Sequence, residues 1–174
     1  MSQDLIEKLV SDFCRGIYDY SVEEILWRPV FLSILDRQHE LNFDKRLIHI
    51  LWTVNGGHLR RKIKDDKLIS KVLSISMPGY AGEGLKLYRG ECRFLYESNM
   101  IGFCWTPDID VAKMFASGLN SLESGGVLLK AHAPTEAIYA APNEHSAKQM
   151  KEFEYTCNPY LLCDVEAIKF YNKR

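Results

Sequence analysis

Three short stretches carry residue types capable of chemistry. In "EFEYTC", residues 152–157, Glu152 and Glu154 stand two positions apart. On an extended chain that spacing puts both carboxylates on one face, with Phe153 and Tyr155 on the other. Glutamate is depleted in strands and like charges repel. The pair therefore either lines the wet face of an edge strand or faces a bound cation, one carboxylate stabilising developing positive charge and the other orienting or deprotonating an acceptor. In "LYRGE", residues 87–91, Arg89 follows an apolar strand and precedes Gly90, which permits close approach of backbone or ligand. Arg89 is either an edge residue on a solvated face or a guanidinium fork for phosphate. In "GFCWTPDIDVAKMFASG", residues 102–118, a strand ends at Thr106 and Pro107 and Asp108 open a helix. Val111, Ala112, Phe115 and Ala116 form its buried face, and Cys104 and Thr106 share the strand face opposite Phe103 and Trp105.

The elements that must position these residues follow from apolar period. Up to about Ile75 the period is helical: Leu5, Leu9, Phe13 and Ile17; Val30, Phe31, Ile34 and Leu35; Leu47, Ile48, Leu51 and Trp52. Breaks are expected at residues 19–21, near 41–44 and at "NGG", residues 55–57, with a further helix over residues 65–74. After "MPGYAGEG", residues 77–84, short strands are expected at residues 85–90, 101–106, 125–133, 137–140, 152–157 and 165–171, interrupted by one helix at 108–117. Helices first and strands later predict an α+β fold, with a helical N-terminal part (1–76) packed on a mixed, largely antiparallel sheet (77–174) in a single domain.

At 174 residues, 47% hydrophobic and 26% charged, the chain suits one globular domain. A net charge of −1 supplies no global field toward nucleic acid or acidic membrane. No apolar run reaches membrane-spanning length, and the N-terminus mixes charge into a helical pattern, so neither a membrane partner nor a signal peptide is expected. Cys14, Cys92, Cys104, Cys157 and Cys163, odd in number and without a CxxC, read as reduced thiols of a cytoplasmic protein. His39, His49, His58, His132 and His145 show no zinc-ligand spacing, so no metal is expected. Gly79, Gly82 and Gly84 form no phosphate-binding loop. "HLRRKIKDDK", residues 58–67, reads as a solvated helix face rather than a phosphate patch, and Tyr18, Tyr20 and Trp27 as helix packing.

Taken in order, an arginine after a strand, a strand feeding an "AxxFA" helix, and ExE resemble the mono-ADP-ribosyltransferases, in particular the Arg-Ser-Glu branch of bacterial toxin and phage type. The resemblance covers residues 85–159 and implies an ADP-ribosyltransferase-like sheet core, with NAD as co-substrate and no metal. By position it implies that Arg89 grips the NAD phosphates and Gly90 lies against the nicotinamide amide. Cys104-Trp105-Thr106 stands at the family's Ser-Thr-Ser stretch, and Phe115 stacks on nicotinamide. Glu154 is then the catalytic glutamate and Glu152 the acceptor-side one, with residues 143–151 forming the loop that meets the acceptor. One departure is visible: the serine that normally hydrogen-bonds the catalytic glutamate is Cys104, a weaker donor, leaving Thr106 as the better hydroxyl. The implied acceptor is a macromolecule, protein arginine first and RNA or DNA second. A toxin or phage-defence role with an antitoxin or inhibitor partner follows by analogy. The rival readings are a non-catalytic NAD- or partner-binding module and a NAD glycohydrolase.

Overall fold

The computed structural model describes residues 2–174 and divides the chain into two compact units, Met1–Pro78 and Gly79–Arg174. The first unit is helical: α1 (Ser2–Cys14), α2 (Glu24–Asp36), α3 (Lys45–Ile63) and α4 (Asp66–Ser76). Its core is the apolar stripe of each helix. Leu9, Val10 and Phe13 of α1 meet Trp27, Val30, Phe31 and Ile34 of α2, and the Phe13 and Phe31 rings cross edge-on at 5.1 Å. Asp44 caps α3 by accepting the Leu47 N–H at 3.0 Å, and Asp65 caps α4 by accepting the Leu68 N–H at 3.0 Å. Lys64, left-handed at φ +54°, turns the chain between those two helices.

The expected break at residues 55–57 is absent, and α3 runs through it. A Cβ on Gly56 would lie 2.8 Å from the Trp52 indole one turn earlier, so the glycine makes room for a buried ring. Packing of that ring outweighs glycine's helix penalty of about 1 kcal/mol. The basic stretch is bound locally: Arg60 forks onto Asp66 (2.8 and 2.6 Å) and Lys62 donates to the Tyr20 and Val22 carbonyls (2.9 and 2.6 Å). Among the described residues no helix is long and apolar enough to cross a membrane.

The second unit runs β1 (Leu85–Cys92), α5 (Arg93–Glu97), β2 (Cys104–Trp105), α6 (Ile109–Ser117), β3 (Gly126–Ala133), β4 (Ile138–Ala140), β5 (Tyr155–Cys157) and β6 (Cys163–Tyr171). The fold class is thus α+β, with two small antiparallel sheets in the orders β1-β3-β6 and β2-β5-β4. A single bridge links them, Tyr88 N–H to Thr106 O at 2.7 Å and Thr106 N–H to Tyr88 O at 2.9 Å. The central strand β3 alternates its packing: Val127, Leu129 and Ala131 join Leu87, Trp105, Ile138 and Cys157 in one core, while Leu128 joins Ala112 and Ala116 of α6 in another.

Two strands are shorter than the sequence predicts by more than one residue. Only Cys104–Trp105 of the 101–106 stretch is strand, because the Gly102 N–H is taken at 2.8 Å by the Glu91 side chain instead of a neighbouring strand. Strand β5 begins at Tyr155 because Lys151 and Phe153 are left-handed (φ +56° and +49°), which an extended chain cannot include. Glu152 and Glu154 therefore flank the left-handed Phe153 ahead of the strand, and do not sit on a strand face.

Gly90 sets how closely α6 lies on β1. A Cβ there would collide with the Ala112 carbonyl and Ala116 N–H and lie 2.8 Å from the Phe115 Cβ. Two of those obstacles are backbone and cannot rotate away. Gly90→Ala should cost about 3 kcal/mol, lowering Tm by roughly 6–12 °C in a thermal melt; an unchanged melt would show that α6 tolerates displacement from the strand.

Candidate active site

Arg89 leaves β1 beside Glu91, two residues on and on the same face. Its Nε–H donates to Glu91 Oε2 at 2.7 Å and its Nη1–H to the Cys104 carbonyl at 2.7 Å. The guanidinium lies over Gly102, where any side chain would occupy its place. Glu91 is almost wholly buried and also accepts the Cys92 and Gly102 N–H groups at 2.9 and 2.8 Å. Burial opposes its ionisation, but the Arg89 charge and these hydrogen bonds win and hold its pKa below the ordinary glutamate value. For Arg89, burial disfavours the charge and Glu91 more than restores it.

Strand β2 pairs with β5 so that Cys104 stands opposite Thr156 and Trp105 opposite Tyr155. The Trp105 indole turns into the core and donates to the Gly102 carbonyl at 3.0 Å. Cys104 faces the other way, beside Glu154. Glu154 is 8% exposed, and its Oε1 has no hydrogen-bond partner. Burial raises its pKa to about 7, the Cys104 hydrogen bond and the Arg89 charge pulling down and the Glu152 charge pushing up. The Cys104 thiol is driven well above its usual range by burial and by the Glu154 charge, so it stays protonated and keeps its S–H as a weak donor. The Thr156 hydroxyl, completely buried two residues from Glu154, also lacks a partner.

Glu152 is half-buried, its pKa raised by burial and opposed by the His145 charge. The preceding loop is pinned rather than open. Asn143 Oδ1 accepts the Ser146 N–H at 2.9 Å, a π-helical turn spans His145–Gln149, and the Ser146 carbonyl accepts Glu152 and Phe153 N–H groups at 2.9 and 3.3 Å. Met150 and Phe153 stand exposed on that loop, 50% and 41%.

The structure therefore brings Arg89, Cys104 and Glu154 into one cluster with Glu152 at its edge. The other candidates lie around it with their own local partners. The Thr106 hydroxyl accepts the Asp108 N–H at 3.1 Å, bracing the entry to α6. The Gly90 carbonyl accepts the Asn120 amide at 2.7 Å. Phe115, half-buried, sits where α6 crosses Gly90. Sequence reasoning passed over Glu91 and Thr156. Glu91 had a signal, an acid alternating with Arg89 on a buried strand; Thr156 had none beyond following Glu154 by two. The chain matches no family model, no curated protein and no solved structure.

The raised Glu154 pKa makes the fold bind a proton that the unfolded chain releases between pH 4.5 and 7. That stabilisation is complete below about pH 4.5 and is lost as pH rises through about 7. The groups facing Glu154 are Cys104, Arg89, Glu152 and Cys157. Glu154→Gln should leave stability little changed near pH 4.5 and raise it by on the order of 3 kcal/mol at pH 8. Paired melts across that range check it; parallel curves for the two proteins would mean that Glu154 ionises at an ordinary pH.

Proposed function

We propose that the protein is a mono-ADP-ribosyltransferase that moves ADP-ribose from NAD to a macromolecular acceptor, with protein arginine the first acceptor class. One observation carries the reading: a strand arginine, a strand thiol and a buried glutamate meet in one cluster, and the glutamate keeps a carboxylate oxygen without a partner. A buried unpaired oxygen costs about 1–3 kcal/mol. A ribose hydroxyl is a group that would satisfy it.

The chemistry follows from charge. The bond between the ribose anomeric carbon and the nicotinamide nitrogen breaks with its electron pair passing to the nicotinamide, and positive charge develops on the ribose. An ionised Glu154 stabilises that charge from a fixed, poorly solvated position. Before substrate binds, the carboxyl is near half-protonated at neutral pH; the positive nicotinamide ring of NAD favours its ionised form. Arg89 holds the diphosphate so that the ribose stays in place as nicotinamide departs. A guanidino nitrogen of the acceptor then bonds to the anomeric carbon, and its proton passes to Glu152 and on to water. Glu152 suits that task because it is half-buried at the edge of the cluster, on a loop that also presents Phe153 and Met150.

Incubating the protein with labelled NAD and a whole-cell lysate, then with protease or RNase, tests the reading. Label removed by protease supports a protein acceptor, label removed by RNase an RNA acceptor, and nicotinamide release without labelled macromolecule would make the protein a glycohydrolase. Glu154→Gln should reduce transfer about a hundredfold or more while NAD affinity changes little, and Glu152→Gln should suppress transfer more than hydrolysis. Cys104→Ser supplies a stronger donor to Glu154 and should match or exceed the wild-type rate, whereas Cys104→Val should fall below it. Faster nicotinamide release by the valine variant, with both variants folded, would assign Cys104 to packing alone.

A further inference from the structure

We propose that Glu91 is the positioning residue for Arg89, fixing its guanidinium plane so that the uncommitted N–H groups receive the oxygens of a diphosphate. The identity of that ligand rests on the transferase reading; the fixing of Arg89 rests on the geometry alone.

An arginine offers five N–H donors. Here Nε–H is spent on Glu91 and one Nη1–H on the Cys104 carbonyl, both at 2.7 Å, and Nη2 has no hydrogen-bond partner among the described residues. Two anchors at different edges of one rigid plane determine its position and its tilt. Gly102 adds a third constraint, since the guanidinium occupies the space a side chain there would need. The anchor is itself immobile: Glu91 Oε1 accepts the Cys92 N–H at 2.9 Å, Oε2 accepts the Gly102 N–H at 2.8 Å, and its side chain is 2% exposed against 16% for Arg89.

Such an arrangement does what a free surface arginine cannot. A mobile arginine side chain carries considerable rotamer entropy, part of which a ligand must overcome to order it. Arg89 is ordered before the ligand arrives. Its charge is also balanced by Glu91, so recognition of the diphosphate depends on directed N–H groups rather than on a long-range positive field, in keeping with a chain of net charge −1. Glu91 touches no substrate in this scheme and acts only through Arg89.

The test uses the full chain, ADP as the diphosphate probe and nicotinamide release from NAD as the separate activity readout. In the wild-type protein the Arg89 Nε–H resonance, assigned by its loss in Arg89→Lys, should be sharp and slow to exchange. In Glu91→Gln it should broaden or vanish. ADP affinity should fall about ten- to a hundredfold in Glu91→Gln and in Arg89→Lys, the loss expected for a charge-assisted contact. KM for NAD should rise more than kcat falls, a split that a general loosening of the fold would not produce. An Arg89 Nε–H exchanging as fast as that of a free arginine overturns the proposal without any variant, which matters because removing half of a buried pair can unfold a protein. It is equally overturned if folded Glu91→Gln binds ADP within twofold of wild type, or if the wild type does not bind ADP. ADP binding that weakens in Glu91→Gln, in a protein that never releases nicotinamide, would sustain the Glu91 role and refute the transferase reading. Unchanged ADP affinity in an active transferase would do the reverse.

Discussion

The ion pair between Arg89 and Glu91 is the contact on which the β-rich unit's geometry turns. Two charges removed from water are costly, and a buried pair is repaid only when its remaining hydrogen-bonding capacity is used. Here it is used by backbone: the Cys92 and Gly102 N–H groups bind Glu91, and the Cys104 carbonyl binds Arg89. Those three backbone groups lie at the end of β1, on the approach to β2 and at its first residue. One side-chain pair therefore holds the two strands at the place where the sheets are joined by a single bridge. The orientation of Cys104, and through the pairing of β2 with β5 the placement of Glu154, follow from it.

Legibility in the sequence followed how far residue type and apolar period alone fix the local structure. Helix stripes, the helix starting at the Asp65–Asp66 pair and the strand–turn–helix around Pro107 follow from period and turn chemistry, and their types and approximate bounds could be read directly. The failures arise where one particular side-chain or backbone contact overrides what residue type alone suggests. Asn55-Gly56-Gly57 reads as a breaker until Trp52 is placed against Gly56. The stretch from residue 152 reads as strand until the Ser146 carbonyl is seen to take the Glu152 and Phe153 N–H groups. The candidate site shows the same division. Arg89, Cys104 and Glu154 could be picked out by type and order, but their meeting is a product of strand pairing across more than sixty residues. Glu91 stayed hidden because a buried glutamate and an exposed one look alike in a sequence; its partners at Gly102 and Cys92 distinguish them.

An unpaired buried polar atom does not by itself mark a site. His49 in the helical unit is 4% exposed with Nε2 lacking a partner, and burial depresses its pKa to about 4. It resolves the conflict by remaining neutral, at the cost of one missing hydrogen bond. Glu154 differs in what surrounds it. A charged arginine lies near enough to act on its carboxyl, a thiol lies beside it, an unpaired hydroxyl sits two residues away, and a second carboxylate repels it. The backbone leading to it holds two left-handed non-glycine residues, Lys151 and Phe153, and a π-helical turn. Strain of that kind persists only where the surrounding structure imposes it. The buried carboxyl and the two left-handed residues cost stability that a glutamine at Glu154 or a glycine at Lys151 or Phe153 would relieve. Their meeting on one loop and one carboxyl, beside an arginine with unspent donors, is the arrangement on which the proposed ligand role rests.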